Sequence, residues 1–216
     1  MVTGNDTVSI EVDGLLLDCD GVLVDSHNAA AIAWNLWAKR WAPGFDFHRD
    51  VEHGRRIADL VAELISTPSD VAPAAAELIQ LELDHATEVV AIPGARRLLE
   101  TSPAGSWAVV TSGGRAIATA RMASAGLPSA DVLVTSDDVE RGKPFPDPYL
   151  LAAQRLGVSP QRCAVFEDAP AGIAAARAAG VETIIGVGPN AATESVTAAV
   201  ADLRGLRFDG HHLRIE

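Results

Sequence analysis

Several features are scarce in this sequence of 216 residues, and each scarcity excludes a class of protein. The two cysteines, Cys19 and Cys163, each lie in an apolar run, which excludes a disulfide-stabilised scaffold and indicates reduced core thiols in a cytosol. Basic residues are also few, since 17 Lys and Arg accompany 29 Asp and Glu, for a formal net charge of −12. Nucleic acids and anionic lipids bind basic surfaces, so we expect neither as a partner.

Long apolar runs are missing as well. The first residues contain no basic segment followed by a long apolar stretch, so no signal peptide is predicted. The small-residue run at 173–179 is interrupted by Arg177 and is too short to span a bilayer. What is present is an ordinary globular composition, with 48% hydrophobic and 21% charged residues. We therefore expect a soluble, acidic, cytoplasmic protein with a sizeable core.

Short apolar runs alternate with helical patterns along most of the chain. The runs have the length of strands and do not alternate with polar residues, as expected for parallel strands that are covered on both faces. This alternation predicts an α/β fold with a Rossmann-like, doubly wound parallel sheet. An Asp-Gly turn near the C-terminus predicts a small hairpin at 207–213. The predicted strands are 14–18, 107–111, 132–135, 163–166 and 183–187, and the predicted helices are 115–125, 148–156 and 170–179.

One region interrupts this alternation. Residues 26–92 contain no strand pattern, but apolar residues recur there at helical spacing, including Trp34, Trp37 and Trp41. A bare loop of that length is unusual in a compact domain, so we predict an inserted all-helical module. The three tryptophans are predicted to pack in its interior. The predicted domains are a core of residues 1–25 and 93–216 and a helical domain of residues 26–92.

Carboxylates follow two of the predicted strands. Asp18 and Asp20 come directly after the first strand, and Glu167 and Asp168 end a later one. Like charges this close are destabilising unless a cation neutralises them or one carboxyl takes a proton. A hard divalent cation such as Mg²⁺ suits oxygen ligands of this kind. The pair Asp18 and Asp20, taken alone, could equally be two solvated acids in a loop.

A hydroxyl-rich turn and a lysine supply groups that bind anions, in contrast to the cation-binding carboxylates. The segment Thr111-Ser112-Gly113 precedes a helix, and such turns bind anions through hydroxyls and backbone N–H groups. Lys143 is one of two lysines in a chain with fifteen arginines, and it lies in a proline-stiffened stretch, which indicates a need for a compact charge. Taken alone, Lys143 could instead be a surface lysine beside a turn. Because the carboxyl ends of parallel strands meet at one edge, we expect these segments to form a site for one Mg²⁺ and one phosphoryl group.

In this combination and order the motifs resemble the haloacid dehalogenase superfamily, in the branch with a helical cap after the first strand. The resemblance covers about residues 12–190 and is carried by the Asp-x-Asp-Gly-x-x-x-Asp-Ser segment at 18–26, Thr111, Lys143 and Glu167-Asp168. The segments at 52–56, 92–95 and 125–128 resemble bacterial sugar-phosphate and hexitol-phosphate phosphatases.

This resemblance implies a Mg²⁺-dependent phosphomonoesterase that acts on small phosphorylated sugars or polyols. Asp18 would be the nucleophile that forms an aspartyl-phosphate, and Asp20 would be the general acid and then the general base. The implied Mg²⁺ ligands are Asp18, the backbone carbonyl of Asp20, Asp168, and Glu167 directly or through water. The implied phosphoryl-binding residues are Thr111, Ser112, Gly113 and Lys143. The predicted leaving-group contacts in the cap, which could instead be a solvated turn, are Glu52, His53, Gly54, Arg55 and Arg56.

Other functions share parts of this pattern. A phosphosugar mutase similar to β-phosphoglucomutase has all four signatures and transfers the phosphoryl group to a second sugar hydroxyl instead of water. A non-catalytic regulator with the same fold is a further alternative. Haloacid dehalogenases lack the second aspartate, which is present here as Asp20. The expected partner is a small phosphorylated metabolite, and the expected assembly is a monomer or a small homo-oligomer.

Overall fold

The computed structural model describes residues 7–191 and 196–216. Residues 1–6, part of the stretch considered above for a signal peptide, lie outside the described residues. The strands in chain order are β1 (Val8–Glu11), β2 (Gly14–Leu17), β3 (Val24–Asp25), β4 (Val90–Ala91), β5 (Trp107–Val110), β6 (Val132–Val134), β7 (Cys163–Glu167), β8 (Thr183–Val187), β9 (Ala198–Val200), β10 (Leu206–Phe208) and β11 (His212–Ile215). The helices are α1 (His27–Trp41), α2 (Phe47–Asp50), α3 (Ile57–Leu64), α4 (Pro68–Asp84), α5 (Ala95–Thr101), α6 (Arg115–Ser124), α7 (Asp147–Leu156), α8 (Pro170–Ala178) and α9 (Gly188–Ala191).

A parallel sheet with the strand order β6-β5-β2-β7-β8-β9 forms the centre of the described structure. The five predicted strands and three predicted helices are confirmed, with ends that shift by a residue or less. The pattern did not predict α5 or the edge strand β9, because both are short. The order of strands reverses around β2, so the carboxyl ends of β2, β5 and β7 lie side by side.

The central strands are apolar throughout because each strand faces two separate cores. Leu15 and Leu17 of β2 belong to one hydrophobic cluster, together with residues of α5 and α6. Leu16, between them, belongs to a second cluster with residues of α7 and α8. Successive side chains of a strand point to opposite faces, so a strand covered on both faces is apolar at every position. The burial of both faces stabilises the sheet, and the sheet carries the site residues at its carboxyl edge.

The helical segment, residues 27–84 with α1 to α4, has a hydrophobic cluster of its own. Trp34 and Trp37 are buried in that cluster, while Trp41 packs partly buried against it. The Trp37 indole N–H donates to the carbonyl oxygen of Ala74 on α4 at 2.8 Å, which ties α1 to α4. The two chain connections to the sheet run side by side, because β3 and β4 pair antiparallel. The segment is thus joined to the sheet through one narrow, hydrogen-bonded pair of strands.

The chain ends with the hairpin predicted from the Asp-Gly turn. Strands β10 and β11 pair antiparallel, and the Asp209 carboxylate accepts the backbone N–H groups of His211 and His212 in the turn. Strand β1 pairs with the outer edge of β11, which the sequence did not predict. Both cysteines are free and buried. Among the helices of the described residues, none combines the length and the apolar character needed to cross a membrane.

Candidate active site

A buried lysine lies at the carboxyl edge of the sheet and joins residues at the carboxyl ends of three strands. The Lys143 ammonium donates to Asp18 Oδ1 at 2.7 Å, to Glu167 Oε1 at 2.6 Å and to the carbonyl oxygen of Val110 at 3.0 Å. The lysine is 1% exposed. Burial disfavours the ammonium, but the negative charges of Asp18 and Glu167 outweigh this effect and raise the pKa of Lys143. Lys143 is therefore a permanent positive charge among the carboxylates.

Three carboxylates at this edge are close enough to share a cation. Asp18, Glu167 and Asp168 each offer an oxygen, and these oxygens lie within 4.8 Å of one another. Burial, with the charges of neighbouring carboxylates, raises the pKa of Asp18 and of Asp168, although Lys143 opposes the shift in both. One lysine thus leaves excess negative charge in a buried group of hard oxygen donors. A divalent cation such as Mg²⁺ matches that donor set and that charge.

Two glycines make room for these carboxylates. Gly21 has a φ of +79°, and a Cβ built on it would lie 2.1 Å from Asp168 Oδ2. Gly172 lies at the start of α8, and a Cβ there would lie 1.9 Å from Glu167 Oε1. Any larger residue at either position would displace a site carboxylate. The glycine after Asp20 is therefore required by the site as well as by its own backbone conformation.

The fully buried Tyr149 on α7 was not predicted from the sequence. Its hydroxyl donates a short hydrogen bond to Glu167 Oε1, the same oxygen that accepts from Lys143. The Lys143 ammonium also lies 5.2 Å from the centroid of the Tyr149 ring. The chain has a single tyrosine, and this rarity six residues after Lys143 was the available signal.

The hydroxyl-rich turn lies next to Asp18. Thr111 is buried, and its Oγ1 accepts the backbone N–H of Gly113 at 3.0 Å. The Ser112 hydroxyl is directed to the helical segment, where it donates to the carbonyl oxygen of Gly54 at 2.7 Å. All three residues of the turn line the same cavity as Asp18. The backbone of the turn, rather than the Ser112 side chain, remains available to an anion.

Asp20 is held by two donors that approach one of its oxygens. Its Oδ1 accepts from the Ser26 hydroxyl at 2.6 Å and from the Arg121 guanidinium at 2.8 Å. Arg121 also donates a short hydrogen bond to Glu82 Oε2. Ser26 belongs to the first motif, but Glu82 and Arg121 were not identified from the sequence, because they lie on separate helices with no shared motif.

A cavity of about 150 Å³ opens between the sheet edge and the helical segment. Four of the five residues predicted to contact a leaving group line it, namely Glu52, His53, Gly54 and Arg55. Burial, together with the charges of His27 and His48, lowers the pKa of His53. The remaining wall contains Trp34, Phe47, Leu60, Glu82 and Arg121.

Arg55 and Arg56 are neighbours in sequence but point to different surroundings. Arg55 lines the cavity, and its guanidinium is held by Glu52 and Glu63, each at 2.5 Å. Arg56 is not among the residues that line the cavity, and its guanidinium donates to the carbonyl oxygens of Val139 and Glu140. Arg56 therefore joins the helical segment to the loop before Lys143.

A doubly wound sheet with this buried Asp-Lys-Glu cluster at its carboxyl edge is the arrangement of a haloacid dehalogenase-like fold. The sequence profile described as "Hydrolase: haloacid dehalogenase-like hydrolase" matches residues 12–180, and the chain belongs to that family.

The relatives of the chain are similar over most of its length. Hexitol phosphatase A of Escherichia coli (strain K12) is 45% identical over 176 residues, which cover 79% of this chain and 81% of the relative. Glycerol-1-phosphate phosphohydrolase 2 of Saccharomyces cerevisiae (strain ATCC 204508 / S288c) is 34% identical over 192 residues, 83% of this chain and 76% of the relative. A solved structure of a hydrolase from Pseudomonas syringae has a TM-score of 0.78 at 26% identity and covers 89% of this chain and 94% of its own.

Proposed function

We propose that this chain is a divalent-metal-dependent phosphomonoesterase that hydrolyses small phosphorylated sugars or polyols in the cytoplasm. One observation carries the proposal: the buried Asp18, Lys143 and Glu167 form one cluster with the partly buried Asp168, and Asp20 lies beside it in the cavity that Asp18 and Asp168 line. The names of the hexitol and glycerol phosphate relatives support the substrate class. The net charge of −12 and two buried free cysteines support the cytoplasmic location.

The first chemical step forms an aspartyl-phosphate. Lys143 holds Asp18 Oδ1, and the other carboxylate oxygen attacks phosphorus. The bond from phosphorus to the leaving oxygen breaks as Asp20 gives its proton to the departing alcohol. In the second step Asp20 takes a proton from water, the water oxygen attacks phosphorus, and inorganic phosphate leaves with Asp18 restored as a carboxylate.

Positive charge is needed because an anionic nucleophile attacks an anionic ester. Lys143 supplies one fixed charge, while Thr111 and the backbone N–H groups of Ser112 and Gly113 bind phosphoryl oxygens. Mg²⁺, when bound, supplies further charge against the phosphoryl oxygens. Its proposed ligands are Asp18, Glu167, Asp168 and the backbone carbonyl of Asp20.

The helical segment is proposed to act as a cap over this site, within a cap domain of residues 26–92 and a core domain of 1–25 and 93–216. Docked on the sheet edge, it excludes water from the cavity and contacts the leaving group. Glu52, His53 and Arg55 are the proposed contacts, because their side chains line the cavity. Arg56 is proposed to hold the cap on the core instead, because it bonds the loop before Lys143.

A phosphate-release assay on the purified full chain tests the proposal. With Mg²⁺, we expect release from hexitol, hexose or glycerol monophosphates that exceeds release from nucleotide monophosphates. Asp18→Asn removes the nucleophile and is expected to abolish release, whereas Asp131→Asn, an exposed aspartate outside the cavity, serves as the matched control. An isomerised sugar phosphate without free phosphate would instead establish the mutase alternative. No reaction with any ester, or full activity of Asp18→Asn, would overturn the assignment.

A further inference from the structure

Arg121 is a buried arginine of α6 that bonds carboxylates from two separate parts of the chain. One terminal nitrogen donates to Asp20 Oδ1 at 2.8 Å, and the other donates to Glu82 Oε2 on α4. The side chains of Arg121 and Glu82 are only 6% and 5% exposed. A guanidinium in this position links the sheet edge with the helical segment directly beside Asp20.

The two carboxylates accept hydrogen bonds from the terminal nitrogens of the guanidinium, and the third nitrogen, Nε, does not take part in these contacts. Arg121 Nε is buried and has no hydrogen-bond partner among the described residues. A buried donor without a partner is costly, and the large majority of buried polar atoms are paired. The Arg121 side chain therefore takes the position in which it contacts Asp20 and Glu82 together, even though its Nε–H then has no hydrogen-bond acceptor.

Asp20 is oriented by this contact. Both of its donors, Ser26 and Arg121, meet the same oxygen, Oδ1. Two donors on one oxygen fix the rotation of the carboxyl group and leave Oδ2 for proton transfer. Ser26 lies next to the connection into the helical segment, and Arg121 is bonded to the segment itself, so both supports depend on where the segment lies.

We propose that Arg121 is a positioning residue for proton transfer to the leaving group, and that Glu82 makes this positioning depend on docking of the helical segment. The inference rests on the proposed function, because it takes Asp20 as the general acid. When the segment is docked, Glu82 holds Arg121 and Arg121 holds Asp20. When the segment separates from the sheet, Arg121 loses Glu82 and Asp20 loses its fixed orientation. Proton transfer is thereby confined to the closed cavity.

A phosphate ester and an acyl phosphate, which differ in whether the leaving group needs a proton, test this role. A glycerol or hexitol phosphate releases an alkoxide-like group that must be protonated, whereas acetyl phosphate releases acetate, which leaves as an anion. The ratio kcat/KM reports the steps up to formation of the aspartyl-phosphate. For Glu82→Gln we expect kcat/KM to fall about 10- to 100-fold with the polyol phosphate, mainly through kcat. With acetyl phosphate we expect a change below about twofold.

A matched control separates positioning of Asp20 from loss of docking alone. Arg56→Ala also removes a contact between the helical segment and the loop before Lys143, but Arg56 does not bond Asp20. Arg56→Ala leaves the contacts of Asp20 intact whenever the segment is docked, so we expect the loss of kcat/KM on the polyol phosphate to exceed the loss on acetyl phosphate by less than about threefold, well below the selectivity of Glu82→Gln. Arg121→Lys is the second variant, because its single ammonium keeps the charge but cannot reach two carboxylates as a fork. Arg121→Lys should show the same selective loss on the polyol phosphate as Glu82→Gln, and it provides the test if Glu82→Gln folds poorly.

The outcomes are distinguishable. A selective loss on the polyol phosphate in Glu82→Gln or Arg121→Lys supports the proposal. An equal loss on both phosphate compounds would assign Arg121 and Glu82 a purely structural role, and unchanged kinetics would remove them from the reaction, so either result overturns the proposal. If the wild-type protein releases phosphate from neither compound, the proposed function itself fails, and the inference fails with it for that separate reason.

Discussion

Two buried cations of this protein each bond two carboxylates, but they do so across different boundaries. Lys143 joins Asp18 and Glu167, which both lie at carboxyl ends of strands in one sheet. Arg121 joins Asp20 at the sheet edge to Glu82 on the helical segment. The lysine centre, which consists of Lys143, Asp18 and Glu167, is formed by residues at the sheet edge alone. It therefore persists wherever the helical segment lies. The arginine centre, which consists of Arg121, Asp20 and Glu82, exists only when two separately packed parts of the chain are docked. The lysine centre thus provides a permanent charge, whereas the arginine centre positions Asp20 only in the docked state.

The largest expected effect comes from removal of the lysine centre. Lys143→Met leaves Asp18 and Glu167 buried without their cation, which is expected to cost about 3–5 kcal/mol of unfolding free energy. Phosphate release should fall by more than about 10³-fold, because a fixed charge against the phosphoryl group is lost. Denaturant unfolding and the phosphate assay measure the two effects. Lys39→Met is the control, because Lys39 is the only other lysine and is exposed. A Lys143→Met protein as stable as Lys39→Met would contradict the stabilising role of the lysine centre.

The arginine centre should be easier to alter without unfolding the protein. Asp20→Asn keeps an oxygen for Ser26 and Arg121, and the Asp20 side chain is already 31% exposed. We expect a stability change below about 1 kcal/mol. Turnover of a polyol phosphate should fall by about 10²–10⁴-fold, because the general acid is lost. Circular dichroism melting and steady-state kinetics test this pair of expectations, and a large loss of stability with little loss of turnover would reverse them.

Metal removal tests the excess negative charge that the lysine centre leaves uncompensated. Mg²⁺ binding to the native state is expected to raise the unfolding free energy by about 2.7 kcal/mol at 100 times its dissociation constant. Chelation should abolish phosphate release, and added Mg²⁺ should restore it. Asp168→Asn removes one of the three clustered carboxylates and should reduce the Mg²⁺-dependent rise in melting temperature. Activity that is indifferent to chelation would show that Lys143 alone neutralises the site.

A partly exposed charge cluster, Asp138 with Arg115 and Arg155, provides the smallest effect and a reference for both buried centres. Partial burial alone would raise the pKa of Asp138, but hydrogen bonds from Thr135 and Arg155 and the charge of Arg115 outweigh it and hold the pKa at about 2. Because this value is below the ordinary 3.8, the carboxylate stabilises the fold above about pH 4 and loses this effect as the pH falls towards 2. Solvent screening limits the contribution to about 1 kcal/mol.

Urea unfolding of the wild type and Asp138→Asn at two pH values measures this contribution. The stability difference between the two proteins should be present at pH 5 and should shrink at pH 2.5, where Asp138 is partly protonated. An equal difference at both pH values would mean that the charge of Asp138 contributes nothing. Asp131→Asn again provides a control, at an exposed carboxylate that precedes the same strand, β6.

The lysine centre was predictable because each of its parts follows a strand. The apolar runs that end at Asp18 and Glu167 are local signals, and Lys143 is conspicuous in a chain with two lysines. Parallel strands bring their carboxyl ends together, so the convergence of these residues follows from the fold class. Tyr149 was missed because nothing local tells which face of α7 its hydroxyl occupies.

The arginine centre could not be predicted in the same way. Glu82 and Arg121 are 39 residues apart on helices with ordinary amphipathic patterns, and their contact depends on how the helical segment docks. Arg55 and Arg56 demonstrate the same limit, since two adjacent residues of one type face a cavity and an outer loop respectively.

Hydrophobic periodicity and strand-end motifs are local properties, so the strands, the sheet class and the chemistry at the sheet edge could be predicted from the amino-acid sequence. Which side chains of the helical segment meet that chemistry depends instead on how the whole chain packs. The docking of two packed units depends on the shapes of both surfaces together, and neither surface is encoded in a short stretch of sequence.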